Sequence, residues 1–255
     1  MIKFLHNKFA EYYWINSVNK SVNDIVKNIA VYLKASKKKK INVLDLGIGS
    51  GLITKRIQDN VEWKNKINFF GCDCVVDNSV KKICKKIKKF NFEKLFPYKN
   101  NKFDIIIANQ VIEHLVLKSH FINECRRILN PEGILILATE NISSLDNIFS
   151  IILGQEPFSQ HTSELFHTNT FLSPHFMMSY QDKKIKSKIL KREFKKQFGT
   201  RKHFGHKNVL SYFGLKRILE VAKFKNIKIK GFGHLLFLTY IFPYHSKIIN
   251  SYSIK

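Results

Sequence analysis

The chain alternates between short apolar stretches and longer amphipathic ones. The apolar stretches have the length of buried strands in a parallel sheet, and they lie at 41–46, 67–72, 103–108 and 134–138. Between them, apolar residues recur at helical spacing, most clearly over 79–89 and 121–129. We therefore predict strands and helices in alternation through the first 140 or so residues.

The two ends of the chain carry patterns of their own. Residues 1–36 show helical spacing and form a predicted helical extension, with a second helix that Ser21 or Asn23 can cap. Near the other end, a helical stretch precedes two further strand-like stretches, at 227–230 and 235–241.

The first predicted strand runs into a loop with three glycines. Residues 45–51 read D-L-G-I-G-S-G, and helical spacing follows from Leu52. Glycine lets the backbone approach a ligand closely, and the first free N–H groups of a helix face such a ligand. The dinucleotide fingerprint G-x-G-x-x-G would need glycine where Leu52 stands, and the Gly-Lys-Ser/Thr ending of a P-loop is absent. The loop therefore predicts a nucleotide-type site outside those two motifs.

An acidic residue stands at the end of the second predicted strand. Asp73 follows the glycine loop by roughly 20 residues, where Rossmann-like folds place a carboxylate that binds ribose hydroxyls. A carboxylate can accept hydrogen bonds from both hydroxyls. Its alternative role would be to cap the next helix, which Asp77 or Asn78 does better.

Three more segments extend this pattern. Residues 91–104 read N-F-E-K-L-F-P-Y-K-N-N-K-F-D, residues 109–115 read N-Q-V-I-E-H-L, and residues 129–133 read L-N-P-E-G. Together with the glycine loop, they resemble segments of the class I S-adenosylmethionine-dependent methyltransferases. The resemblance implies an α/β fold with a Rossmann-like, doubly wound sheet of seven strands, mostly parallel with an antiparallel C-terminal hairpin.

The resemblance also implies a domain organisation. A methyltransferase domain would span residues 37–255, with an insertion or lid at about 154–207. The N-terminal extension would be a helical cover over the open side of the cofactor. The insertion is rich in lysine and histidine. Its role is open between a substrate lid, a loop, and a surface that binds nucleic acid or anionic lipid.

The family's cofactor is S-adenosyl-L-methionine, and the resemblance indicates which residues would bind it. The glycine loop would carry its amino acid half and Asp73 its ribose. Asn91 stands where the family has an aspartate that accepts a hydrogen bond from the adenine amino group, and an amide oxygen can accept the same bond. Phe92 would be a wall for the adenine ring, or else a core aromatic residue. The predicted cofactor-binding residues are Asp45, Gly47, Gly49, Gly51, Asp73, Asn91, Phe92 and Asn109.

Methyl transfer to a hydroxyl requires a base, and histidine suits neutral pH. The candidates are His114, His161 and His206, with His167 as a further one. An alternative is that His114 packs under the sheet edge while Glu113 caps a helix. The histidines show no H-x-x-x-H or H-E-x-x-H spacing, so no metal site is predicted.

The charge of the chain leaves the acceptor open. Its formal net charge is +25, which favours contact with polyanions or anionic surfaces. Lysine greatly outnumbers arginine, however, and a chain rich in Lys, Asn and Ile is also what an AT-biased genome produces. We expect a small-molecule, glycan or lipid-linked acceptor. The alternatives are an RNA methyltransferase that uses the basic insertion and a non-catalytic cofactor-binding protein, and peripheral membrane contact stays open.

Cysteine usage and hydropathy predict a cytoplasmic protein. The four cysteines show no C-x-x-C pair, which is typical of reduced thiols. The longest apolar stretches, near 144–153 and 232–243, are too short to span a bilayer, and residues 1–13 do not resemble a signal peptide.

Overall fold

Seven strands form a single sheet. The computed structural model describes residues 2–59, 63, 65–76, 78–160, 206–233 and 244–255, with the backbone alone over 2–15. In chain order the strands are β1 (Ile41–Leu46), β2 (Ile67–Asp73), β3 (Ile87–Lys89), β4 (Phe103–Asn109), β5 (Leu129–Glu140), β6 (Lys225–Phe232) and β7 (Ile248–Ile254). Their spatial order is β3-β2-β1-β4-β5-β7-β6.

The described helices connect these strands and extend the chain at its N-terminus. They are α1 (Ile2–Ala35), α2 (Leu52–Gln58), α3 (Asn78–Ile83), α4 (Lys118–Ile128), α5 (Leu145–Ile152) and α6 (Tyr212–Val221), with a short 3₁₀ turn at Ile112–His114. None of the helices within the described ranges combines the length and the hydropathy needed to cross a bilayer.

The strand pairing confirms the predicted architecture. β1, β2, β3, β4 and β5 pair in parallel, and β7 lies antiparallel to both β5 and β6. The register places Leu46 beside Cys72 on one side and Ala108 on the other. The carboxyl ends of β1, β2 and β4 therefore meet at one edge, where open α/β sheets bind their ligands.

α1 is one continuous helix, so the prediction of two helices over residues 1–36 was wrong. Ser21 does not begin a helix; its hydroxyl donates to Asn250 Oδ1 of β7 at 2.7 Å. Three fully buried residues of the same helix, Val22, Ile25 and Ile29, pack against the sheet. This packing fixes the second half of α1 on a sheet face, while a cover over the cofactor by its first half stays a prediction.

The stretch 79–89 is not a single helix, which corrects a second prediction. α3 ends at Ile83, and Ile87–Lys89 pairs with β2 as the edge strand β3. Ile87 packs against a small buried cluster that includes Val80 and Cys84, whereas Lys88 and Lys89 are exposed. Lysines on an edge strand discourage pairing with other chains, which reconciles the lysine pattern with a strand.

Two predicted boundaries also differ from the structure. The strand predicted at 134–138 begins earlier: β5 starts at Leu129 and includes Asn130–Gly133, where Glu132 has a positive φ of 61° and the register with β4 shifts. The predicted strand at 235–241 lies outside the described residues. The strand that pairs with β6 is Ile248–Ile254, which the sequence did not predict.

Candidate functional site

The glycine loop between β1 and α2 adopts a backbone that few other residues tolerate. Gly47, Gly49 and Gly51 have φ values of 73°, 53° and 78°. L residues with a Cβ atom rarely adopt this left-handed region, whereas glycine adopts it freely. The three glycines therefore serve to turn the chain sharply at the carboxyl end of β1.

The loop is packed at its two ends and open in its middle. A Cβ atom at Gly47 would lie 2.4 Å from Val111 Cγ2, and one at Gly51 would lie 2.9 Å from Ile83 Cδ1. Among the described residues, a Cβ atom at Gly49 would meet only the Gly47 carbonyl oxygen, at 3.7 Å. The middle of the loop thus presents backbone to an open space, as a loop that cradles a ligand must.

Asp73 lies beside this opening. Its carboxylate accepts a hydrogen bond from the Gly49 amide through Oδ2, at 3.0 Å, and one from the Val75 amide through Oδ1, at 3.2 Å. Asp73 is only 2% exposed. Two backbone amides therefore fix the orientation of the carboxylate and join it to the middle of the glycine loop.

Asp45 lies in β1, two residues before the first glycine of the loop. It is fully buried, and its Oδ2 accepts a hydrogen bond from the Thr54 hydroxyl of α2 at 2.8 Å. Burial raises the pKa of Asp45 to about 7 against the opposing hydrogen bond from Thr54, and the charge of Asp73 adds to the rise. Asp45 thus ties β1 to α2 on the two sides of the loop.

The raised pKa of Asp45 predicts a specific dependence of stability on pH. The folded state binds this proton more tightly than the unfolded chain does, so the contribution to stability is complete below about pH 4 and is lost as pH rises through about 7. In the cofactor-free protein, the free energy of unfolding of the wild type relative to Asp45→Asn should fall by up to about 4 kcal/mol over this interval. Urea unfolding of both proteins at several pH values measures the difference, and a difference that is flat with pH would contradict the assignment.

The remaining predicted cofactor residues take different positions. Asn109 ends β4 at the carboxyl edge and is partly exposed. Asn91 is exposed just after β3, and its Oδ1 accepts a hydrogen bond from the Glu93 amide at 2.9 Å. Phe92 is 6% exposed, and its ring packs 5.2 Å from that of Phe90 and 6.1 Å from that of Phe121. The structure therefore places Phe92 in an aromatic part of the core, and its contact with adenine stays a prediction.

A polar cluster lies just beyond β4. Glu113, His114 and His206 each place a carboxylate oxygen or a ring nitrogen within 4.8 Å of the other two. The rings of His114 and His206 meet edge to face with their centroids 4.9 Å apart. Two of the predicted catalytic histidines therefore converge, although they lie far apart in the sequence.

Glu113 is the most buried member of this cluster. Its side chain is fully inaccessible, and Oε2 accepts a hydrogen bond from the Thr139 hydroxyl of β5 at 2.9 Å. Burial raises the pKa of Glu113 to about 7, against the opposing influence of His206. Within the described part of the chain, no hydrogen-bond donor reaches Oε1.

His206 is held from two sides. Its Nδ1 lies 2.6 Å from the Ser159 carbonyl oxygen, and a carbonyl can only accept, so Nδ1 carries the proton. The Glu140 carboxylate lies 3.6 Å from the same nitrogen. In the neutral ring Nε2 is therefore an acceptor. The chain around His206 is anchored as well, because the Lys207 amide donates to the Glu113 carbonyl at 2.8 Å.

Some candidate residues cannot be placed, and some supporting residues carried no signal in the sequence. His161 and His167 lie outside the described residues. Thr139, Glu140 and Ser159 orient the cluster, but no motif marks them, because their roles depend on the meeting of β5 with distant segments.

Comparison with known proteins agrees with this geometry. The model of the family described as Methyltransferase domain matches residues 44–137, which run from β1 into β5. The ubiquinone biosynthesis O-methyltransferase of Saccharomyces cerevisiae, a mitochondrial protein, is 25% identical over 158 residues, which cover 60% of this chain and 49% of the relative. The ubiquinone biosynthesis O-methyltransferase of Pelagibacter ubique is 27% identical over 161 residues, covering 56% and 62%. This chain spans about half the length of the mitochondrial relatives it matches.

A solved structure shows the same fold. The crystal structure of the CurJ carbon methyltransferase superposes with a TM-score of 0.58 at 14% identity, covering 91% of this chain and 53% of the other. The strand order, the glycine loop with Asp73, and the family model matched over residues 44–137 together support a class I S-adenosylmethionine-dependent methyltransferase. S-adenosyl-L-methionine is the cofactor of this family, and the open middle of the loop beside a fixed carboxylate suits its charged amino acid half and its ribose.

Proposed function

We propose that this protein transfers the methyl group of S-adenosyl-L-methionine to a hydroxyl oxygen of a small-molecule acceptor. The observation that carries the proposal is the meeting of two features at one sheet edge. The glycine loop with Asp73 lies at the ends of β1 and β2, and the cluster around Glu113 follows β4 directly. Val111 packs on Gly47, so the two features share a wall.

The protein's own contribution to the reaction is positioning. The bound cofactor supplies an electrophilic methyl group, and transfer is an in-line displacement. Asp73 and the amides of the loop would hold the donor, while the side chains that follow β4 orient the acceptor. Alignment of two reactants in this way accounts for roughly 7–11 kcal/mol of a barrier. No covalent nucleophile is needed, and the site is built without one among its described residues.

The acceptor side favours oxygen. A hydroxyl must donate its hydrogen as it attacks, and Glu113 and the histidines of the cluster offer acceptors for that hydrogen bond. The two curated relatives are named as O-methyltransferases. Glycan and lipid-linked hydroxyls stay open as variants of this proposal.

The proposed location is the cytoplasm. The four cysteines are free thiols, and three of them are buried in the core, as in a reducing compartment. The name of the yeast relative places that protein in mitochondria. Microscopy of a fluorescent fusion in the native cell checks this assignment.

Product analysis tests the proposed reaction. The full-length protein is incubated with methyl-labelled cofactor and matched acceptor pairs, such as a catechol and the corresponding aminophenol, and with total RNA as a competitor. We expect label on a hydroxyl oxygen of a small molecule, and at least about tenfold less label in Asp73→Asn at a cofactor concentration well below saturation. Label on nitrogen, or label confined to RNA together with a steep salt dependence of RNA binding, would contradict the proposal.

A further inference from the structure

A group of four lysines lies on the face of the sheet that α4 also covers. Lys86 directly precedes β3, Lys88 lies within that strand, and Lys102 directly precedes β4. The fourth member is Lys99, which lies in the loop before β4. The lysines come from two separate segments of the chain, and together they form the lysine patch.

Aromatic rings hold the amines of the lysine patch close together. The Nζ atoms of Lys86 and Lys102 lie 4.8 and 5.1 Å from the centre of the Phe70 ring. These two nitrogens are therefore at most about 10 Å apart, which is about one Debye length at an ionic strength of about 0.1 M. Lys88 and Lys102 lie near the Tyr98 ring in the same way, at 4.9 and 5.1 Å. Cation–π contacts of this kind fix each ammonium group where it lies.

The lysine patch has no acidic partner within the described ranges. No carboxylate there forms an ion pair with any of the four amines. The neighbour that Lys88 does have is neutral, because its Nζ donates to the Pro97 carbonyl at 2.9 Å. Burial lowers the pKa of Lys102, and the positive charges of the other three lysines lower it further. The patch is therefore a concentration of positive charge that the fold does not balance, and such a surface attracts polyanions.

The basic composition of the chain does not by itself explain this arrangement. Lysines elsewhere beside the sheet do have carboxylate partners. These pairs are Lys38 with Asp104, Lys230 with Asp24, and Lys247 with Asp146. Lys102 is partly buried as well, yet its neighbours are three aromatic rings and other lysines. Carboxylates are thus available to lysines in this chain, but none of those described balances the lysine patch.

The chemistry of the patch favours phosphate groups spaced along a strand. A nucleic acid carries one phosphate per nucleotide, so a single strand can meet several ammonium groups at once. Tyr98 is only 6% exposed, so its ring does not offer a face on which a base could stack. Lysine acts on phosphate as a point charge, and contacts to phosphate carry no sequence information.

We propose that the lysine patch binds the phosphodiester backbone of a nucleic acid without regard to its sequence. Lys102 precedes the first residue of β4, whereas Asn109 ends that strand at the edge that carries the glycine loop. A strand rises about 3.3 Å per residue, so the two ends of this seven-residue strand lie about 20 Å apart. A nucleic acid on the patch is therefore a bound partner and not the methyl acceptor, and its binding leaves the proposed function unaffected.

Fluorescence anisotropy of labelled oligonucleotides tests the proposal without cofactor or acceptor. The probes are a short uridine RNA, a thymidine DNA of the same length, and a glutamate peptide of the same charge. We expect the full-length protein to bind the RNA and the DNA with similar affinity, and more tightly than the peptide. Changing Lys86, Lys88 and Lys102 together to Gln should weaken nucleic-acid binding at least about tenfold. It should also reduce the slope of log affinity against log salt by about 2, at about 0.7 for each lost phosphate contact on a single strand.

Lys20, Lys27 and Lys55 supply a matched control. All three are exposed on α1 and α2, which pack on the opposite face of the sheet. Changing them together to Gln removes the same charge, but it should leave nucleic-acid affinity within about twofold at physiological salt, since distant charges are screened. Binding of S-adenosylmethionine by both triple variants shows that they are folded. Equal losses of affinity in the two variants, tighter binding of the glutamate peptide, or no oligonucleotide binding at low salt would each overturn the proposal.

Discussion

Replacing Asp73 with asparagine is expected to weaken the binding of S-adenosylmethionine by about 10- to 100-fold, which corresponds to hydrogen bonds to a charged group. The carboxylate accepts from the amides of Gly49 and Val75 through different oxygens. Asparagine has only one acceptor oxygen, so one of the two amides would face an NH₂ group instead. The middle of the glycine loop would lose its anchor, and the ribose hydroxyls would lose a charged acceptor. Isothermal titration calorimetry measures the change.

Asp104 provides the control for this experiment. It is also buried, at 3% exposure, and it accepts from the Asn42 amide at 2.8 Å and from the side chains of Asn130 and Lys38. It lies near the start of β4, at the opposite edge of the sheet from the loop. Asp104→Asn should therefore lower stability while leaving the cofactor affinity of the folded protein within about twofold. Equal losses of affinity in both variants would show that the effect of Asp73 is one of general stability.

Gly47→Ala is expected to lower the free energy of unfolding by about 2–5 kcal/mol. Part of this cost, about 1–2 kcal/mol, comes from placing a Cβ atom on a backbone with φ of 73°. The remainder, about 1–3 kcal/mol, comes from overpacking, because the new Cβ would lie 2.4 Å from Val111 Cγ2. Denaturant unfolding measures the sum.

Two further variants separate these contributions. Gly154 has a φ of 69° and no described atom within 4 Å of the position of a Cβ, so Gly154→Ala should show the backbone cost alone. Combining Gly47→Ala with Val111→Ala should recover about 1–3 kcal/mol relative to the sum of the single changes. Strict additivity of the two changes would contradict the contact between the loop and the segment after β4.

The strands near the centre of the sheet could be predicted from the sequence, because burial on both faces requires runs of apolar residues. β1 and β4 are of this kind, and Ile105 and Ile106 are fully buried on opposite faces. The glycine loop and Asp73 were also predicted in position. Chemistry restricts their residue types, since a left-handed turn favours glycine and the predicted ribose contact favours a carboxylate.

β7 was not predicted because its buried face carries polar residues. Asn250 is fully buried, but its side chain forms two hydrogen bonds with Ser21. Its Oδ1 accepts from the Ser21 hydroxyl, and its Nδ2 donates to the Ser21 carbonyl. Pairing with α1 removes the cost of burying the amide, but α1 is more than 200 residues away in the chain. A pattern of apolar residues cannot reveal such a strand, and it favours the more apolar stretch at 235–241 as the hairpin strand instead.

The polar cluster was predicted only as separate residues. His114 and His206 were candidates individually, but their convergence depends on the hydrogen bonds of Lys207 and Ser159 with distant partners. Long-range pairing of this kind leaves no local signal in the sequence. For the same reason, no sequence motif indicates Thr139 as a partner of Glu113.

The most direct test of the central claim is a crystal structure of the protein grown with S-adenosylhomocysteine or S-adenosylmethionine. We predict density for the ligand against the open middle of the Gly47–Gly51 loop, with its ribose hydroxyls on the Asp73 carboxylate. Ligand density at another place on the protein would contradict the account. So would protein side chains that occupy the space beside the loop at saturating ligand.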